Sequence, residues 1–223
     1  MVAHTLVIAI DGPSGAGKGT VARAVARRLE YSHVDTGAMY RSVAWKARHE
    51  GLDLADEAAV ASVAERVVFG LDDRITVDGH DVTSAIRTPD MDAAAAIVAR
   101  HPRVRAVLVS RQRAYGAGKG IVMEGRDIGT VVFPEAEVKL YLDASPDERA
   151  RRRARDDAHA ASRQSGGVED VASALEARDH SDRTRATSPL TLADDAVYID
   201  TTSLSVDDVV RRVMEIVSAR LPR

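Results

Sequence analysis

Residues 12–20, GPSGAGKGT, place a glycine cluster directly ahead of a lysine. Gly12, Gly15, Gly17 and Gly19 bring four of the chain's 15 glycines within eight residues. Without Cβ atoms, such positions let the backbone reach φ > 0 and turn successive N–H groups onto phosphate oxygens. Gly12 and Gly17-Lys18 have the spacing of the phosphate loop G-x-x-x-x-G-K-[ST], in which the hydroxyl after the lysine binds magnesium. Lys18 in such a loop sits between β- and γ-phosphates and follows the charge as it transfers. Here, however, Gly19 follows the lysine and the hydroxyl, Thr20, comes one place late. A magnesium ion is then expected to be held mainly by nucleotide oxygens and water, as this cation keeps several waters. No direct protein ligand to the metal is assigned. Asp35 and Glu124 each follow an apolar strand, where they either order magnesium-bound water or cap the following turns.

Arginines are the second signal. Moving a phosphoryl group between nucleotides gathers several negative charges, and guanidinium forks meet phosphate bidentately and stay charged. Arg41, Arg126, Arg178 and Arg185 each fall near an expected loop or element end, and Arg149, Arg151, Arg152, Arg153 and Arg155 crowd one expected helix. Taken singly, each arginine is better read as part of a solvated surface, and only the motifs around them change that. The seven histidines lack ligand spacing, which gives no support to a zinc site. Trp45 and Tyr115 read as packing residues.

These residues need a scaffold. The apolar run 5–10 ends at Asp-Gly-Pro, as suits a strand buried on both faces of a parallel sheet. Helical periodicity follows from Thr20 to Leu29, so the glycine loop lies between a strand and a helix whose N-terminus favours anions. A strand at 31–34 and a helix at 36–50 that starts from a Thr-Gly cap come next. Alternation and Asp-Asp and Asp-Gly turn signals over 67–88 predict a small antiparallel sheet, within an insertion spanning about 60–98. A helix at 102–115, strands at 121–125, 138–144 and 196–200, and helices at 168–180 and 205–221 complete the pattern. The alternation predicts an α/β fold, a doubly wound parallel sheet of about five strands, in one domain over 1–223. The charged stretch 147–166 has little apolar content to pack and reads as a helical lid.

Composition narrows the class. A net charge of -3 argues against a nucleic-acid coat, and the absence of cysteine excludes disulfides and thiolate chemistry. No apolar run long enough to cross a membrane occurs, and the N-terminal apolar hexamer lacks the basic flank of a signal peptide. A cytoplasmic enzyme is expected, with no nucleic-acid or membrane partner. A switch GTPase is disfavoured by the displaced hydroxyl and by the lack of an Asn-Lys-x-Asp signature.

The chain resembles the bacterial cytidylate (CMP/dCMP) kinases, of the nucleoside monophosphate kinase group of phosphate-loop kinases. IDGPSGAGKGT (10–20), DTGAMYR (35–41), RQRAY (111–115), EGRDIGTVVFPEAEVKLYLDAS (124–145) and RDHSDRTRATSPL (178–190) carry the resemblance, in the family's order. The loop alone says only small-molecule kinase; GRDIGTVVFP is more specific. The resemblance implies that Lys18 and the loop backbone of Ser14, Gly15, Ala16, Gly17, Gly19 and Thr20 bind the phosphates of ATP, with magnesium as cofactor. It implies that Arg41, Arg126 and Arg185 hold the CMP phosphate and the transferring group. Thr36 and Tyr40 border the acceptor, Arg105 and Asp127 read cytosine, and Arg178 with Asp182 holds the sugar. Arg153 is the lid arginine expected to reach the phosphates, the insertion belongs to acceptor binding, and a monomer is implied. Thr36 replaces the commoner serine and keeps its hydroxyl. Ala96 stands where a serine contacting the base is expected. The alternative is another acceptor on the same scaffold, UMP, AMP or a small metabolite.

Overall fold

Two faces alternate along the central strand β1 (Val7–Asp11): Ile8 and Ile10 point to one side and Ala9 to the other, all fully buried. This is why the sequence there is continuously apolar rather than alternating. The computed structural model describes residues 5–72, 74–118, 120–155 and 168–221. β1 lies at the middle of a parallel five-stranded sheet of order β2-β6-β1-β7-β8, formed with Ser32–Asp35, Ile121–Glu124, Val138–Asp143 and Val197–Asp200. Its register pairs Ile10 with Glu124 on β6 and with Leu140 on β7, and Asp35 of β2 pairs with Glu124. All the carboxyl ends therefore open on one edge, where ligand-binding loops of open parallel sheets gather.

One face is covered by α1 (Lys18–Leu29) and α8 (Val206–Ser218), which bury Val21, Ala22, Val25, Val209 and Val213 against Ile8, Ile10, Val122 and Leu140. The opposite face takes α2 (Thr36–His49), α3 (Glu57–Arg66), α4 (Pro89–Val98) and α5 (Pro102–Gly116). The chain also forms α6 (Pro146–Arg155) and α7 (Val168–Thr184), and a π-helical turn at Ile128–Val132.

The stretch after α3 folds as the expected small antiparallel sheet, β3 (Phe69–Leu71), β4 (Ile75–Val77) and β5 (His80–Asp81). Asp78 and Gly79 both take positive φ, 50° and 82°, as the tight Asp-Gly turn requires. Two helices flank this sheet, so the insertion is richer in helix than its sequence suggested. Residues 83–88 turn into α4 rather than continuing as a strand. Thr88 caps α4 by accepting from Met91 N at 3.2 Å, and Pro89 opens it. Val60, Val63, Val77, Val82, Ile86 and Met91 join the same apolar cluster as Ala9, Met123 and Ile128 of the main body.

Two helix starts have local causes, and the second differs from expectation. Helix α1 begins at Lys18, because Gly17 at φ 89° already makes the left-handed entry. Helix α2 is capped by Asp35 rather than by Thr-Gly; Oδ1 of Asp35 accepts from Ala38 N at 3.1 Å. Of the expected lid, 147–155 falls in α6, and 156–166 lies outside the described residues.

Candidate active site

The glycine loop leaves β1 beneath β7. A Cβ on Gly12 would fall 2.0 Å from the Leu142 carbonyl oxygen, so only glycine lets the loop pass. The loop is then clamped from the side by α6 and α7. Ser14 N donates to Asp179 Oδ1 at 3.1 Å, and the buried Arg149 donates to the Ser14 carbonyl at 3.1 Å and pairs with Asp179. Arg149 is thus a structural arginine at the root of α6, whereas Arg151 and Arg155 are exposed on its outer face. Neither Asp179 nor the role of Arg149 was anticipated from the sequence.

Gly19 explains the displaced hydroxyl. A Cβ there would lie 2.9 Å from Oε1 of Glu124, which comes from the end of β6. The carboxylate fills the space a hydroxyl-bearing side chain would use. Glu124 also lies 3.2 Å from Nε2 of His33, and its backbone carbonyl accepts from the Thr36 hydroxyl at 2.7 Å. Asp35 both caps α2 and accepts from Arg41 Nη2 at 2.9 Å. Burial opposes ionisation of Asp35, but Arg41 and His33 outweigh it and hold its pKa down to about 2.

Lys18 is buried, and its ammonium donates to the Pro13 carbonyl at 2.7 Å. Burial lowers its pKa to about 7, with the nearby charge of Arg126 adding to the effect and Glu124 opposing it. A phosphate chain beside Lys18 restores the charged form. Above pH 7 the free site is therefore short of a proton that the complex holds. Nucleotide binding at pH 8 is expected to take up about one proton, and close to none at pH 6. Titration calorimetry in buffers of different ionisation enthalpy reads this directly; a buffer-independent heat at pH 8 would show that Lys18 is already charged.

Asp11, at the end of β1, accepts from Ile128 N and Gly129 N, both at 2.8 Å. Burial raises its pKa to about 6 in spite of those two bonds. The carboxylate ties the π-helical turn, and with it Arg126 and Asp127, to the strand that carries the loop. The sequence reading missed this residue because an Asp before a glycine looks like an ordinary turn former.

Two clefts meet here. The larger, about 630 Å³, is walled by the whole loop from Ser14 to Thr20 together with Arg41, Arg153, Asp35 and Glu124. The smaller, about 50 Å³, is walled by Thr36, Tyr40, Ala95, Ala96, Arg105, Asp127, Asp182 and Arg185. Gly37, Gly125, Arg126 and Arg178 border both. The structure thus brings every sequence-derived site residue to one or other cleft and sets two arginines on the shared wall.

Their partners are specific. Arg126 donates to Asp182 at 2.8 Å and to the Ser14 hydroxyl at 2.7 Å, spanning the clefts. Arg105, 2% exposed, pairs with Asp127 and lies 5.7 Å from the Tyr40 ring centroid. Arg185 donates to the Ser188 carbonyl at 2.6 Å and has a second nitrogen 3.7 Å from Asp127. Arg178 pairs with Asp92 of α4 at 2.7 Å rather than with Asp182, and Arg153 pairs with Asp92 as well. Burial pushes the Tyr40 hydroxyl up to about 12. Among the described residues, Nε and Nη1 of Arg105 and Nη2 of Arg185 are buried without a hydrogen-bond partner. Buried donors normally find partners, so their gathering at one small cleft marks a site for a polar, anionic ligand. Ala96 contributes only a methyl to this wall. Trp45 stacks on His49 at 5.0 Å and Tyr115 packs on the core, both away from the clefts.

Comparison with known proteins gives a consistent result. The cytidylate kinase family model matches residues 8–219. A cytidylate kinase of Geobacillus kaustophilus is 48% identical over 219 residues, covering 96% of this chain and 97% of the relative. One from Pelotomaculum thermopropionicum is 49% identical over 221 residues, covering 95% and 96%. Among solved structures, the shikimate kinase of Acinetobacter baumannii in complex with shikimate superposes with a TM-score of 0.51 at 17% identity, covering 98% and 96% of the two chains. That likeness concerns the fold.

Proposed function

The chain belongs to the cytidylate kinase family, and from that premise we propose how its two clefts share the work. The protein transfers the γ-phosphoryl of ATP to CMP or dCMP, giving ADP and CDP or dCDP. ATP occupies the larger cleft, with its phosphates on the loop N–H groups and on Lys18. The acceptor occupies the smaller one, with Arg105 and Asp127 toward the base, Thr36 and Tyr40 along its flank, and Arg178 and Asp182 toward the sugar. Arg41, Arg126 and Arg185 surround the acceptor phosphate and the group in flight, and Arg153 reaches in from α6. The observation that carries this reading is the set of unpartnered buried donors around Asp127.

The acceptor is itself an anionic phosphate, so neither a covalent intermediate nor a strong base is required. The residues act by alignment, by neutralising charge and by keeping water out. Arg126 is central, because one guanidinium spans the loop serine on one side and Asp182 on the other. Magnesium, when bound, neutralises the β- and γ-phosphate oxygens. Glu124 and Asp35 line the loop cleft, where they would hold water around such an ion, with the nucleotide supplying most of its ligands. The smaller cleft is far below nucleoside size, since each water alone needs about 10–15 Å³. The 60–98 insertion, which includes α4, therefore draws back to admit the acceptor, and α6 serves as the described part of the lid. The enzyme works as a monomer in the cytoplasm, without nucleic-acid or membrane partners. No helix among the described residues is long and apolar enough to cross a membrane.

One experiment tests the acceptor assignment. Cytosine offers an amino donor at N4 and an acceptor at N3, whereas uracil presents the reverse. A carboxylate at Asp127 suits the first, and a donor-only guanidinium at Arg105 the second. Mispairing in a closed site costs about 1–3 kcal/mol, and so up to two decades of discrimination. Initial rates with Mg-ATP are expected to give kcat/KM for CMP and dCMP far above that for UMP or AMP. Asp127→Asn is expected to narrow the CMP-to-UMP ratio, because an amide can donate to uracil O4. It also removes the charge facing the buried Arg105, so some loss of thermal stability accompanies it. An unchanged ratio in the folded variant would take base reading away from Asp127.

A further inference from the structure

Asp92 belongs to no motif that the family resemblance rests on, yet it gathers arginines from three different elements. It sits in the first turn of α4, where a helix N-terminus favours an anion. Arg178 of α7 reaches its Oδ1 at 2.7 Å, Arg153 of α6 pairs with Oδ2, and Arg41 of α2 stands 3.8 Å from Oδ1. The carboxylate is 13% exposed. All three arginines also border the cleft of the glycine loop, and Arg178 borders the acceptor cleft too. One carboxylate thus faces three guanidinium groups whose shared neighbourhood is built for phosphate. A nucleotide phosphate brings more charge and three acceptor oxygens, and so competes well for the same forks.

We infer that Asp92 is a stand-in for the acceptor's phosphate, an internal anion that holds Arg41, Arg153 and Arg178 together until the incoming phosphate displaces it. The inference rests on the kinase reading above. It gives α4 a second task besides walling the acceptor cleft. By pairing with Arg153, Asp92 fastens the acceptor-side helix to α6, the described part of the lid. The arginines are kept neutralised and in place without substrate, at the cost of some acceptor affinity. Only a ligand carrying a phosphate can release the latch, so a nucleoside is a poor key.

The test compares CMP, inorganic phosphate and cytidine as ligands, without ATP, by calorimetry on the parent and on Asp92→Asn. The apparent Kd is the intrinsic Kd divided by the unlatched fraction, so with about 80–90% of the protein latched, removal of the competitor is expected to tighten CMP binding about five- to tenfold. Inorganic phosphate is expected to gain similarly, and cytidine, which reaches only Arg178 of the three through its sugar, much less. Asp92→Glu, which keeps the charge, is expected to stay near the parent. Should Asp92→Asn not fold, Asp92→Ser, suited to a helix's first turn, is read the same way. Unchanged or weaker CMP binding in a folded variant overturns the inference, as does an equal gain for cytidine, which would indicate a merely loosened cleft. Phosphorylation of CMP by the parent is measured alongside, so that failure of the latch is distinguished from failure of the acceptor assignment.

Discussion

Lys18→Ala is expected to fold normally and to lose about two decades or more of kcat, because a positioned cation matched to transition-state charge is commonly worth on the order of 3 kcal/mol. Folding should not suffer. Lys18 is buried, and burial disfavours its charge in the free protein, so the ammonium opposes rather than supports the folded state there. Alanine is also the better residue for the first turn of α1, which begins at this position. The measurement is steady-state transfer from Mg-ATP to CMP, with thermal unfolding as the control. Activity within a few-fold of the parent would remove Lys18 from the mechanism. A collapse of stability would instead make it a structural residue.

Arg126→Met should reduce both kcat and acceptor affinity, with kcat falling by about two decades, the usual effect of removing one preorganised donor at a site of developing charge. Its guanidinium bonds the loop serine and Asp182 at once, so its loss loosens the alignment of donor and acceptor together. Arg185→Met should follow the same direction from the far side of the acceptor cleft, where it faces Asp127. A variant in which only KM changed would reduce that arginine to uniform binding of the ground state.

Much of this site could be read from the chain because its chemistry is concentrated in short stretches. The glycine loop and the EGRDIG segment each place several functional groups within a few residues of a strand end, so strand recognition locates them. The carboxylates that act at long range were harder to see. Asp11, Asp92 and Asp179 act across gaps of 117, 61 and 165 residues, on Ile128, Arg153 and Ser14 respectively. No local spacing distinguishes them from helix-capping or surface aspartates. Helix α4 was hidden for a different reason. Its start signals, Thr88, Pro89 and two aspartates in the first turn, are ordinary, but they directly follow a strand-like alternation that ends in Ile86. The apolar side chains of that alternation are buried from turns rather than from a strand, as Val82 and Ile86 show. Likewise the arginines of α6 looked like one charged face, yet Arg149 turns inward because Asp179 and two backbone carbonyls await it.

The contact between Gly19 and Glu124 makes these two positions interdependent. A serine introduced at 19 to recover the commoner loop would press its Cβ against a carboxylate oxygen, one that also has His33 beside it. Shortening Glu124 alone would open a gap beside the loop and leave His33 without its partner. Each single change thus disturbs the other position: the serine displaces the end of the Glu124 carboxylate from His33, and a shorter residue at 124 leaves the space beside Gly19 unfilled. The missing hydroxyl is therefore one half of an exchange, with the other half more than a hundred residues downstream at the end of β6.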